Sequence, residues 1–401
     1  MTLKYLNKSA GFVVASFFFL MLAATVSRAD CVSQVQLATG DPLHMLVIGD
    51  SIMWGQGLRD DEKFSSRVKC WLEEKTRREV KVHVEAHSGA VISGTFAAQT
   101  PYISTDGEVN LSSPTINEQL DHAIKYYGDA RQSPELILMD GCINDIGVKS
   151  LLAASTQLDD LRARVKQNCG EKMQVLLQRV RGSFPSAQII VTSYYPIVSG
   201  QTADNAFLRQ LVKELNNRSP EAHRMSDKEM RQRLIVISDE WYQTSTASLA
   251  EAVRKTNAAS DVGPSTPRVR FVELEFGPEH TFAAPESLLW TFLFASTNVS
   301  GFAKVVVLLS FGTAAYKAND HVREARIKSC EETFKKPPKG VKEDKQVKED
   351  RKDFLLICRY ASLGHPNHMG ALVYTEAIKG QLLQFVDKAG WKRDANDHQS
   401  Q

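Results

Sequence analysis

The sequence predicts an α/β protein built around a doubly wound parallel sheet. Two observations carry that expectation: short, wholly apolar runs and helix-spaced apolar patterns, alternating from residue 43 onward. Leu43–Ile48, Val80–Val84, Leu136–Met139, residues 189–193 and residues 234–237 read as strands, because parallel strands are covered on both faces and so lose the polar alternation of a half-exposed strand. Between them, Phe64–Thr76, residues 158–180 and residues 205–216 carry apolar side chains at helical spacing. Residues 268–274, with Val269, Phe271, Val272 and Leu274, predict a further strand, after which the order of elements is not legible.

Charge and composition narrow the partners. The 401 residues include 49 Lys+Arg against 47 Asp+Glu, with 43% hydrophobic residues, which are ordinary globular proportions. Lys4, Lys8 and Arg28 are the only charges in residues 1–29; without them the chain holds 46 basic and 47 acidic residues. Such a balance gives no bulk attraction to phosphate, so nucleic acid is not an expected partner. Residues 1–29 combine that basic start with an apolar or small run over 10–26 and Ser27-Arg28-Ala29, the pattern of a secretory signal cut after Ala29. An uncleaved anchor is the alternative, at the lower limit of about 17 residues for a span. No stable membrane span is expected after cleavage, since the apolar stretch 288–311 is interrupted by Asn298, Ser300 and Lys304. The expected compartment is extracellular or periplasmic.

Six cysteines (Cys31, Cys70, Cys142, Cys169, Cys330 and Cys358) remain after such a cut. An oxidising compartment permits up to three disulfides, whose pairing sequence does not choose, while Cys142 among strand-like residues also fits a buried thiol. The wide spacings contain no CxxC, which disfavours a zinc or redox centre. One domain over 30–392 is expected, with a polar tail at 393–401. Two stretches read as insertions: an apolar segment at 277–319, as core or as a wall near a substrate, and a charged loop at 335–353 with eight basic and five acidic residues.

Candidate chemistry sits at the strand ends. The first strand runs into Gly49-Asp50-Ser51, which sets a serine hydroxyl at the carboxyl edge of a parallel sheet, where open α/β folds bind ligands. A serine there needs a base within hydrogen-bond reach and donors for an oxyanion. The second strand leads to His87-Ser88-Gly89, whose glycine exposes a backbone N–H, and the third to Gly141-Cys142-Ile143-Asn144-Asp145, which supplies a side-chain amide. His365-Pro366-Asn367-His368-Met369-Gly370 precedes a last apolar helical pattern at 371–385.

Serine, glycine, asparagine and histidine in that order, in these contexts, resemble the SGNH (GDSL-type) hydrolases. The resemblance implies a flavodoxin-like three-layer α/β/α fold and carboxylic-ester hydrolysis without metal or organic cofactor. It implies Ser51 as nucleophile, His365 as general base and then acid, and an oxyanion hole made by the Ser51 N–H, the Gly89 N–H and the Asn144 side chain. The family's Asp three residues before the histidine is Ser362 here. A main-chain carbonyl, as in members similar to Streptomyces esterases, is the expected orienter, giving a Ser51–His365 dyad; Gly277-Pro278-Glu279-His280 and Trp290 loosely resemble an element of that group. The alternatives are that Asp320, Asp353 or another acid folds back, or that the enzyme has decayed. Asp50 and Asp145 are expected to hold loops by side-chain to backbone bonds. His87 reads as a solvated strand end or a pocket wall, and His368 lacks the partners of a zinc site. A small-molecule or lipid ester is the expected substrate, and an acyltransferase or a non-catalytic binder of cell-envelope glycans is the competing class.

Overall fold

A computed structural model of the chain describes residues 40–94, 106–128, 133–205, 220–259, 268–292 and 318–386, with a few single residues outside these ranges. The expected signal at 1–29, the tail at 393–401 and the apolar residues 293–317 lie outside the described residues. Five strands, β1 (Leu43–Ile48), β2 (Val80–Val84), β3 (Leu136–Met139), β4 (Gln188–Thr192) and β5 (Val269–Val272), form one parallel sheet in the order β2-β1-β3-β4-β5. Val47 pairs with Val84 on one side and Leu138 on the other, so three strands end nearly level. The order reverses at β1, which opens a crevice beyond the carboxyl ends of β1 and β3.

The helices follow from local sequence. After β1 come α1 (Ser51–Trp54) and α2 (Phe64–Thr76); after β2, α3 (Ile116–Tyr127); after β3, α4 (Ile143–Ile146), α5 (Val148–Leu151) and α6 (Leu158–Val165). A π-helical stretch, Lys166–Lys172, joins α6 to α7 (Met173–Ser183), and α8 (Asp227–Ala258) follows β4. Thr115 caps α3 reciprocally with Glu118, and Ile116, Leu120, Ala123 and Tyr127 make its buried stripe. Beyond β5 lie α9 (Arg323–Thr333), α10 (Lys345–Arg359) and α11 (His368–Val386). The principal core gathers both faces of β1, β3 and β4 with Trp241, Tyr374 and Leu382 from the layers above and below. This is the expected three-layer α/β/α fold.

Two expectations fail. Residues 234–237 are not a strand but part of the 32-residue α8, capped by Ser226 and Glu229. Met230, Leu234, Ile237 and Trp241 are buried at helical spacing while Val236 turns outward, so the long-window period overrides the local β-branched run. The charged segment is not wholly loop: Asp344 caps α10, which takes residues 345–353 with it. Its first turns carry no apolar stripe, but Arg351 is buried against Glu343 and Cys358 is bonded to Cys330 of α9. A second disulfide joins Cys142 to Cys169, so Cys142 is not a free thiol, and Cys70 is disulfide-bonded too. Among the described residues no helix is long and apolar enough to cross a membrane.

Candidate active site

The nucleophile end is built on β1. Gly49 takes a left-handed backbone (φ 149°), and a Cβ there would lie 2.1 Å from Asp140 Oδ1. That space lets the Asp50 N–H donate to Asp140 Oδ1 at 2.8 Å. Asp50 then caps α1 by accepting the Ile52 N–H at 2.9 Å, and its other oxygen accepts the Tyr194 hydroxyl at 2.7 Å. Both carboxyls are buried. Burial pushes Asp50 up to about 6, against the bonds from Ile52 and Tyr194, and raises Asp140 well above the usual carboxylate range, helped by the neighbouring Asp50 charge. The two carboxyls lie beneath Ser51, the first residue of α1. Neither Asp140 nor Tyr194 is singled out by sequence; the only signal is the Asp that follows β3.

Ser51 lies at the sheet edge yet is only 5% exposed, so the hydroxyl is covered rather than open. Its Oγ is 2.6 Å from His365 Nε2. In the tautomer protonated at Nδ1, Nε2 accepts the hydroxyl proton, as a general base must. Residues 314 apart in sequence therefore meet as the motif order implied.

Gly89 sits after β2 at φ 83°, where a Cβ would meet Asn110 Oδ1 at 2.5 Å and the Leu111 carbonyl at 2.7 Å. The His87, Ser88 and Ala90 N–H groups are engaged by the carbonyls of Gly49, Gly107 and His87. Among the described residues no protein acceptor takes the Gly89 N–H. Asn144 Nδ2 donates to the Ala90 carbonyl at 3.0 Å, which binds the ends of β2 and β3 together. Cys142, just before α4, takes a left-handed backbone (φ 111°) and is tied to Cys169 of the π-helical stretch. Asp145 accepts the Ile92 N–H at 2.9 Å; both loop-holding carboxylates thus do what the sequence implied. His87 is not solvated: it is 4% exposed, with Nδ1 donating to the Ser88 carbonyl.

The histidine end is assembled from loops. Trp290 N–H donates to the His365 carbonyl at 2.7 Å, Gly364 N–H donates to the Trp290 carbonyl, and Tyr195 hydroxyl donates to the Gly364 carbonyl at 2.8 Å. Asn367 N–H donates to the Leu288 carbonyl, so residues 288–290 of the apolar segment form a wall behind the histidine. Burial drives His365 down to about 4; the carbonyls of Ser362 and Leu363 oppose it, Arg326 adds to the depression and Asp320 opposes it. Nδ1 is buried and meets no acceptor at hydrogen-bond geometry among the described residues. The expected carbonyls are thus beside the ring without closing a bond to it. His368 stacks on His321 at 5.6 Å, and His280 Nδ1 accepts the Gly277 N–H.

Two of the comparisons return nothing: no family model and no curated protein matches the chain. Solved structures do. A phospholipase A1 from Streptomyces albidoflavus NA297 is 13% identical over 65% of this chain and 90% of its own, with a TM-score of 0.37. The extracellular lipase of Streptomyces rimosus is 14% identical over 62% and 87%, at 0.36. A family two carbohydrate esterase from Clostridium thermocellum is 13% identical over 69% and 67%, at 0.32. These likenesses carry no argument about chemistry. The parallel strand order and the approach of Ser51 to His365 agree with the arrangement that the sequence resemblance implies.

Proposed function

We propose that the chain is a secreted serine carboxylic-ester hydrolase working through an acyl-enzyme on Ser51. The observation that carries the reading is the 2.6 Å contact of Ser51 Oγ with His365 Nε2, and Gly89 and Asn144, which follow the strands on either side of β1, support it. Ser51 Oγ adds to the ester carbonyl carbon while its proton passes to Nε2. The carbonyl oxygen becomes an oxyanion met by the Ser51 N–H, the Gly89 N–H and Asn144 Nδ2, donors whose preorganisation lowers the barrier. The tetrahedral adduct collapses, the C–O bond to the leaving alcohol breaks, and His365 returns its proton to that oxygen. Water then repeats the sequence on the acyl-enzyme, freeing the acid and restoring the Ser51 hydroxyl.

The depressed basicity of His365 keeps the imidazole neutral, and so able to accept a proton, far into the acid range. Export agrees with the disulfide-bonded cysteines and with the basic, apolar start of the sequence. The reading is tested by stopped-flow hydrolysis of p-nitrophenyl acetate, butyrate and decanoate by the protein beginning at Asp30. A burst of p-nitrophenol followed by steady turnover is expected. Absence of both with every ester would defeat it, and a burst whose acyl group leaves only when a second alcohol is added would mark an acyltransferase.

A further inference from the structure

Ser362 stands three residues before His365, and its side chain is not idle. Its hydroxyl donates to Asp320 Oδ2 at 2.7 Å, and all of it is buried. Asp320 is gripped from the other side by Arg326 of α9, whose Nη1 and Nη2 each donate to one carboxylate oxygen at 2.7 Å. Arg326 is 0% exposed and also donates to the Arg359 carbonyl at the end of α10. Asp353, the other candidate acid, lies exposed on α10 and takes no part.

The network bears on one short turn. The Ser362 carbonyl accepts the His365 backbone N–H at 3.0 Å, and the carbonyls of Ser362 and Leu363 flank the imidazole. Gly57, the last residue of the turn that follows α1, fits against the same group: a Cβ there would meet Trp290 Nε1 at 2.8 Å, Ser362 Cβ at 2.9 Å and Asp320 Cβ at 3.0 Å. The nucleophile's own loop, the wall at Trp290 and the turn before the histidine are therefore packed on one buried ion pair.

We propose that Asp320 is a positioning residue for His365: clamped by Arg326, it holds the Ser362 hydroxyl and through it fixes the turn whose carbonyls face Nδ1. The carboxylate that the family carries at position 362 is supplied from 42 residues upstream, one hydroxyl removed from the ring's support. Arg326 does two things at once. It fixes the carboxylate by a two-point contact, and it offsets the Asp320 charge at the imidazole, so orientation is gained without making the base more basic. When Nε2 takes the Ser51 proton, the Nδ1–H of the imidazolium closes on a carbonyl already in place.

The proposal rests on His365 being the base, so one arm of its test needs no turnover. Ser362→Ala, Asp320→Asn, the double variant and Ser362→Thr are compared by kcat and KM, and by the ¹⁵N signals of His365, which report its tautomer. Ser362→Ala and Asp320→Asn should each lower kcat about 10- to 100-fold with KM unchanged, the range seen when a group orienting a ligand from behind is removed. The double variant should be no worse than the poorer single, and Ser362→Thr, which keeps the hydroxyl, should stay within about twofold of wild type. Both damaging variants should turn a single Nδ1–H tautomer into a mixture. An unchanged tautomer with unchanged kcat would overturn the proposal. So would a loss near 10⁴ at Asp320→Asn with Ser362→Ala silent, which would make Asp320 a direct third member. An inactive wild type with a tautomer that responds as expected would fault the ester-hydrolase reading alone.

Discussion

The two halves of the candidate site are built in opposite ways. Ser51 is fixed by its own strand: Gly49, Asp50, Ile52 and Asp140 lie within two residues of a β-strand end or of one another across the β1–β3 crevice, and each bond there is short and buried. His365 is fixed by remote chain: Trp290, Tyr195 and the Asp320–Arg326 pair come from three separate stretches, and none belongs to a strand. A sheet edge can set a nucleophile with a few consecutive residues, because the ladder beneath already fixes the backbone. A base arriving on a loop needs its position supplied by tertiary contacts, so its partners are free to move in sequence.

The largest expected effect asks whether the loosely assembled half matters as much as the rigid one. Ser51→Ala and His365→Ala should each reduce kcat by about 10⁶, with the double variant no worse, because such a unit fails as a whole. Steady-state kinetics on the purified variants checks this, and a His365→Ala enzyme with only a modest loss would remove the base from its role. Asn144→Ala should lower kcat by about 10²–10³ with KM little changed, since its amide acts mainly on the oxyanion. The Ala90 carbonyl also loses its donor, so melting should be recorded alongside to separate the two effects.

A smaller effect sharpens the contrast through pH. The neutral form of His365 is the working base, so kcat/KM should hold down to about pH 4 and fall below it, where the imidazolium forms. A fall centred near 6.5 would mean that the ring is not desolvated. The smallest effect belongs to the buried carboxyls under Ser51, whose pKa values are raised. Asp140 is raised above its unfolded value, so its contribution to stability is full below about pH 4, the unfolded carboxyl's pKa, and is lost as pH rises through the folded one. Asp140→Asn does not titrate and keeps an acceptor for the Asp50 N–H, so its Tm relative to wild type should rise from pH 4 to pH 8. A constant or falling difference across that range would contradict the raised pKa of Asp140.

Legibility in sequence followed the same division. β1, β2, β3 and α2 were read to the residue, because fully apolar runs and a clean helical stripe are local signals. The four motif blocks were legible for the same reason. Residues 234–237 misled because four residues cannot distinguish a strand from the buried arc of a long helix. α10 was hidden by a first half whose charges face solvent, its helical character coming from the Asp344 cap and the Cys330–Cys358 bond. Asp320 could be named only as a candidate, since nothing near it in sequence points to Ser362, and Arg326 carried no signal at all.

The central claim is that Ser51, activated by His365, takes the acyl group. Its most direct test is rapid acid quench during turnover of p-nitrophenyl butyrate, followed by peptide mass analysis. The account predicts one butyryl group on the peptide containing Ser51, at near-stoichiometric level in the burst, and none in His365→Ala. A butyryl group on another residue, or steady turnover with no adduct on Ser51 in wild type, would contradict it.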